Sequence, residues 1–115
     1  MKRTVTIEIS EAEHSLKRFA KAWRTGRAAG EVISFESPEV LFRWLTPKRW
    51  TLLTALQAAG PQSIRALARR VQRDVKNVHG DVTALSEIGL IEKTGDTVRV
   101  PFDEIRAAFT LTRAA

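Results

Sequence analysis

Hydrophobic residues recur at three- and four-residue spacing in two neighbouring segments near the middle of the chain. The first stripe consists of Ile64, Leu67, Ala68 and Val71. The second consists of Val75, Val78, Val82 and Leu85. Ser63 and Asp74 directly precede the two stripes, and each side chain can cap a helix N-terminus. Because one apolar stripe marks the buried side of an amphipathic helix, the pattern predicts helices over residues 64–71 and 75–88, separated by a short polar turn.

A hairpin pattern follows the second helix. Two short runs of apolar and polar residues within 91–100 flank Gly95 and Asp96, which predicts two strands joined by a tight turn. Lys93 and Arg99 place cations on these strands, as expected of a hairpin that lies along a phosphate backbone. A helix, a turn, a second helix and a hairpin, in this order, are the elements of a winged helix-turn-helix.

The side of the second helix that lies off its apolar stripe carries a distinctive set of residues. They are Lys76, Asn77, His79, Gly80 and Thr83. Lysine can bond guanine, asparagine can bond adenine in two places, and glycine lets a helix approach a neighbouring surface, so the set suits a DNA groove. The alternative is an ordinary solvated face, on which Gly80 weakens the helix by ~1 kcal/mol relative to alanine. This helix alone leaves both interpretations open.

A family resemblance rests on the strings SIRALARRV, RDVKNVHGDV and LSEIGLI within residues 63–91. This run resembles the winged helix-turn-helix transcriptional regulators of the MarR-like kind. More narrowly, it is similar to small prokaryotic predicted regulators, some of them thought to be antitoxins. The resemblance is strongest over 46–100. Gln72 stands where such units often carry glycine, which is a departure from the pattern in the turn.

The predicted DNA-binding residues combine the two helices and the hairpin. Helix ends and hairpins usually lie against phosphates, whereas the first turn of the second helix enters the major groove in helix-turn-helix proteins. The full predicted set is Ser63, Arg65, Arg69, Arg73, Lys76, Asn77, His79, Gly80, Thr83, Lys93 and Arg99.

The flanking segments predict smaller elements. Residues 4–9 alternate like a half-buried strand, a helix is predicted from Ser10, and 31–36 predicts a second strand. A short helix begins at Ser37 and Pro38.

Residues 47–58 predict the supporting helix of a three-helix core, with Trp50 assigned to that core. The helical spacing of Phe102, Ile105 and Phe109 predicts a short C-terminal helix.

The expected fold is therefore α+β. Residues 46–100 form the winged helix-turn-helix unit, with a three-helix core and a β-hairpin wing. Residues 1–45 form an N-terminal strand-helix-strand-helix extension that is a candidate dimerisation element, and residues 101–115 form the C-terminal helix.

The charge distribution supports a polyanionic partner. The chain carries a net charge of +6, and residues 46–100 hold 9 Lys and Arg against 5 Asp and Glu. A basic excess on the proposed DNA-binding unit favours phosphate contacts.

Several kinds of chemistry have no signature in the sequence. There is no cysteine, and no serine-hydrolase, P-loop or metalloprotease motif is present. His14 and His79 stand without neighbouring ligand types, and Asp81 and Glu87 are interpreted as surface charges. We therefore expect no enzyme activity, no cofactor and no metal. No apolar run matches a membrane span or signal core, so we expect no membrane association and a cytoplasmic location.

Two functional hypotheses follow. The first is a sequence-specific regulator of transcription that binds double-stranded DNA as a homodimer and acts as a repressor. The second is a protein-interaction winged helix, most concretely an antitoxin that neutralises a toxin partner and represses its own operon. A small toxin-like gene beside this one would favour the second hypothesis.

Overall fold

A small parallel sheet, four helices and a hairpin make up residues 2–9, 31–111 and 113, the part of the chain that the computed structural model describes. In chain order the elements are β1 (Thr4–Ile9), β2 (Glu31–Phe35), α1 (Pro38–Trp44), α2 (Pro47–Ala59), α3 (Ile64–Val71), α4 (Val75–Glu87), β3 (Glu92–Thr94), β4 (Thr97–Arg99) and β5 (Glu104–Ala107). The predicted α+β class is confirmed. The helix predicted from Ser10 lies outside the described residues. None of the described helices combines the length and apolarity needed to cross a bilayer.

Side-chain caps define where the helices begin. The oxygens of Ser37, Thr46, Ser63 and Asp74 each accept a hydrogen bond from a backbone N–H in the first turn of α1, α2, α3 and α4. Such caps satisfy donors that have no partner inside the helix, and losing one costs about 1 kcal/mol. The two caps predicted for α3 and α4 are therefore confirmed, at Ser63 and Asp74.

The turn between α3 and α4 depends on Gln72, which adopts the left-handed conformation with φ 56° and ψ 49°. Its backbone N–H bonds the carbonyl of Arg69 at 3.2 Å, and that of Arg73 bonds the carbonyl of Ala68 at 3.0 Å. The turn thus has the geometry that glycine usually provides, although a glutamine occupies it.

The sheet has the order β2-β1-β5, and both pairings are parallel. Val5 lies opposite Ile105, and Ile7 lies opposite Ile33, so one face of the central strand is apolar. Val5 and Ile7 are 1% and 0% exposed, which places that face in the core.

The predicted C-terminal helix is wrong, because residues 104–107 form β5. The spacing of Phe102, Ile105 and Phe109 fits a helix, but Ile105 packs against the core from a strand paired with β1. Phe102 is buried, whereas Phe109 is 45% exposed. A partner strand about a hundred residues away supplies the backbone hydrogen bonds, and local periodicity cannot report it.

Ion pairs join the ends of the strands. Arg3 donates two hydrogen bonds to Glu31, at 2.8 and 2.7 Å, and its guanidinium lies 4.7 Å from the centre of the Phe102 ring. The hydrogen bonds from Arg3 hold the pKa of Glu31 below its usual value, and those from Lys2 and Arg106 do the same for the pKa of Glu104. These contacts connect the start of β1 to both neighbouring strands.

The helices and the hairpin share one continuous core with the sheet. Fully buried side chains from this region are Leu52, Leu56, Leu67, Val78, Val82, Leu85 and Leu90. Two core assignments are wrong, since Trp50 is 42% exposed and Val75 is 41% exposed. Trp50 lies at the edge of the buried side of α2, and Val75 is the first residue of α4, beyond the part of the helix that packs on the core.

Candidate nucleic-acid interface

Helix α4 has one side in the core and another side open to solvent. Val78, Val82 and Leu85 are each 0% exposed. Of the residues predicted to face outward, Lys76, Asn77, His79 and Gly80 are exposed, whereas Thr83 is half-buried. The hydroxyl of Thr83 donates to the carbonyl of His79 at 2.9 Å, so that hydroxyl is already engaged within the helix.

A charged cluster holds α4 against the rest of the domain. Asp81 accepts hydrogen bonds from Arg49 Nε at 3.1 Å and from an Arg73 guanidinium nitrogen at 2.7 Å. Arg49 also donates to the carbonyl of Trp44 at 3.0 Å. The side chains of the three charged residues are only 17 to 22% exposed. The cluster therefore ties the start of α2, the turn before α4 and the middle of α4 together.

This cluster corrects the interpretation of Asp81 as a plain surface charge. Its two partners were not evident from the sequence, because Arg49 lies on another helix and Arg73 lies in the turn. The second guanidinium nitrogen of Arg73 is buried and has no hydrogen-bond partner. Arg73 thus supports the turn, and its predicted contact with phosphate stays a prediction. Glu87, in contrast, is an exposed charge as expected.

The hairpin is fastened to the start of α3. Gln62 and Val98 exchange two backbone hydrogen bonds, of 3.0 and 2.8 Å. As a result Ser63, Arg65 and Lys93 line one shallow depression of about 390 Å³. The structure therefore brings together three of the predicted site residues from two elements that are distant in sequence.

The other cations of the site differ in how freely they can meet a ligand. Arg99 pairs with Glu92 across the hairpin at 3.1 Å, and both side chains are 47% exposed. A pair this open contributes at most about 1 kcal/mol, so a phosphate can compete for it. Arg69 and Arg70 are exposed on the last turn of α3. Arg70 was absent from the predicted set, although its place beside Arg69 was visible in the sequence.

A second depression, of about 500 Å³, lies between α1 and α4. Gly80 and Thr83 line it together with Arg43, Trp44 and Glu87, among others. A Cβ atom placed on Gly80 would meet no heavy atom within 4 Å beyond its chain neighbours and the backbone of its own helix. Nothing in the described chain therefore requires a glycine there. Sequence reasoning missed Arg43, because its position beside α4 depends on the packing of α1.

Comparison with family models adds one finding. The model of the HVO_A0114 family matches residues 44–107, which is just over half of the chain. The chain belongs to the HVO_A0114 family. The matched stretch runs from the end of α1 to the end of β5 and contains every predicted site residue. The family name states no activity, so function has to be argued from geometry.

No curated protein matches this member of the HVO_A0114 family. Within the described part of the chain, no three His, Asp or Glu side chains are grouped so that they could hold a metal ion.

Proposed function

We propose that this HVO_A0114 family member is a sequence-specific regulator of transcription that binds double-stranded DNA. In this proposal residues 46–100 act as a winged helix-turn-helix, α4 lies in the major groove and the β3–β4 hairpin follows the phosphate backbone. In this proposal the protein is a homodimer, because two-fold pairing doubles the sequence that a small recognition unit reads, and it acts as a repressor.

The observation that carries the proposal is the outward face of α4. Lys76 and Asn77 lie in the first turn of a helix whose opposite side is fixed in the core, so their positions are held by folding. Both side chains have donor groups that match base edges in the major groove. Gly80, one turn further along the same face, leaves room for a close approach.

Cations around this helix support the second half of the proposal. Arg65 and Lys93 share a depression beside the hairpin, and Arg69 and Arg70 are exposed at the end of α3. Phosphate contacts of this kind position a protein on DNA and make its affinity depend on salt. The pairing of Arg99 with Glu92 predicts a smaller contribution from that residue, since a phosphate must displace the carboxylate.

The decisive experiment is selection of bound sequences from random duplex DNA, followed by binding isotherms for Asn77→Ala. We expect a loss of about 1 to 3 kcal/mol on the selected sequence and little change on random DNA, because Asn77 reads bases. The melting temperature stays the same, since Asn77 is exposed. Thr54→Ala, another exposed polar change on a helix, serves as the control and should alter neither affinity.

Two results would reject parts of this proposal. Equal losses of affinity for selected and random DNA in Asn77→Ala would show that α4 contacts phosphates and does not read bases. Failure to recover any enriched sequence, together with no binding to random duplex at low salt, would reject DNA binding itself.

A further inference from the structure

An apolar groove of about 710 Å³ lies between α1, the start of α2 and the segment that follows β5. Leu41 and Leu45 are buried beneath it, while Phe42, Trp50 and Phe109 also line it. The rings of Phe42 and Phe109 meet edge to face with their centres 6.1 Å apart. The three aromatic side chains thus surround one continuous feature and are not scattered over the surface.

The three aromatic side chains of this groove stay partly exposed to solvent. Phe42 is 57% exposed, Trp50 42% and Phe109 45%. Since aromatic side chains bury roughly 150 to 250 Å² each, these fractions leave roughly 300 Å² of aromatic area in contact with water. The largest apolar patch on a monomeric protein is typically about 300 to 600 Å² and is often functional.

This area is about two thirds of the apolar area that each partner buries in a standard dimer interface. A standard interface buries about 800 Å² on each partner, of which roughly 57%, or about 450 Å², is apolar. The three aromatic residues supply most of that area.

The charges around the groove indicate which kind of partner it can bind. None of the described residues that line the groove is charged. The groove therefore offers no ion-pair partner to an acidic peptide. It does suit a second copy of a chain whose net charge is +6, because an uncharged contact lets two basic molecules meet without opposing their cations.

We infer that this groove, which we call the Phe42 groove, is the interface between two copies of the chain. In a two-fold contact the same patch meets itself, so the groove of one copy packs against the groove of the other. None of the residues proposed to contact DNA is among the described residues of the groove. Both copies can therefore present α4 and the hairpin at the same time.

This inference rests on the proposed function, in which a dimer reads a DNA site made of two halves. The existence of the dimer can be tested without DNA. Sedimentation equilibrium at micromolar concentrations should give twice the chain mass of 12.9 kDa. Phe42→Asp should raise the dimer dissociation constant at least about tenfold, because dimerisation would bury an unpaired charge. Phe109→Asp should do the same, and thermal melts establish that both variants fold.

Val75→Asp is the matched control, because Val75 is another exposed apolar residue, 41% exposed, and lies on α4 away from the groove. It should leave the dissociation constant unchanged. A monomeric wild-type protein would overturn the inference. Folded Phe42→Asp and Phe109→Asp variants that dimerise as tightly as wild type would also overturn it, and so would a Val75→Asp control whose dissociation constant rises as much as theirs.

Separate DNA measurements keep the two proposals distinguishable. A monomer that still enriches a DNA sequence would reject the interface and the homodimer, and would leave only the DNA binding of the proposed function. A wild-type protein that is a dimer but binds no DNA, and that becomes a monomer on Phe42→Asp, would support the interface and reject the proposed function.

Discussion

The two sides of α4 obey different constraints. The inner side consists of Val78, Val82 and Leu85, all 0% exposed, and a folded core of this kind accepts only apolar residues of about the right size. The outer side holds Lys76 and Asn77, whose side chains make no contact that the fold requires. The same helix therefore contains one set of residues that folding explains and another that folding leaves free.

This difference shows where evidence for function has to be sought. Periodicity identifies the inner side without further information, since burial demands apolar residues every three or four positions. The outer side is compatible with many sequences, so its residues become informative only through their chemistry and their neighbours in space. Asp81 lies between these cases, because it is polar and yet held in the fold by two arginines.

The largest expected effect on stability comes from the inner side. Val78→Ala should lower the free energy of unfolding by about 2 to 3 kcal/mol, because it leaves a cavity in a side-chain position that is 0% exposed. Val75→Ala removes the same atoms from the same helix at a position that is 41% exposed and should cost less than about 0.5 kcal/mol. Urea unfolding of both variants measures the difference. Equal losses would show that α4 is not docked as described.

An intermediate effect is expected at Asp81. Asp81→Asn keeps the shape but removes the charge between Arg49 and Arg73, and should cost about 1 to 2 kcal/mol of stability. If the cluster also sets the orientation of α4, the ratio of affinities for selected and random DNA should fall, which a purely stabilising role would not produce. Glu87→Gln, at an exposed carboxylate on the same helix, is the control and should change neither quantity.

The smallest effect sharpens the interpretation of the outer side. Gly80→Ala should raise stability by up to about 1 kcal/mol, because alanine favours the helix and the added carbon has open space. On the selected DNA the same change should weaken binding, since the added methyl group occupies the surface that DNA approaches. Gly95→Ala is the contrasting change, because Gly95 has φ +58° and alanine there should be destabilising. Unchanged DNA affinity for Gly80→Ala would show that nothing approaches this point.

Much of the helical part of the fold could be predicted from local signals. The stripes of α3 and α4, the caps at Ser63 and Asp74 and the hairpin around Gly95 all appear where the sequence placed them. Each depends on residues a few positions apart, so the sequence contains the whole signal. The assignment of Trp50 and Val75 to the core was wrong because their burial does not depend on local signals. Residues at the edge or end of a stripe are buried only if another element reaches them.

The candidate site was partly predictable for the same reason. The outward orientation of Lys76 and Asn77 follows from the stripe on the other side of α4. The pairing of Arg73 with Asp81 does not follow, because the turn places Arg73 outside the helical repeat and Arg49 arrives from another helix. Charges can be counted in a sequence, but whether each is free or engaged depends on contacts between elements.

The sequence by itself determined the two helices α3 and α4, the buried side of each and the place where α4 presents a cationic, amide-bearing surface. Those properties follow from short-range hydrogen bonding and from the spacing of apolar side chains. Only the tertiary structure decided that residues 104–107 pair with β1, that Asp81 joins two arginines and that Phe42, Trp50 and Phe109 surround one groove. Each of these depends on residues far apart in the chain, whose proximity arises only when the elements pack together.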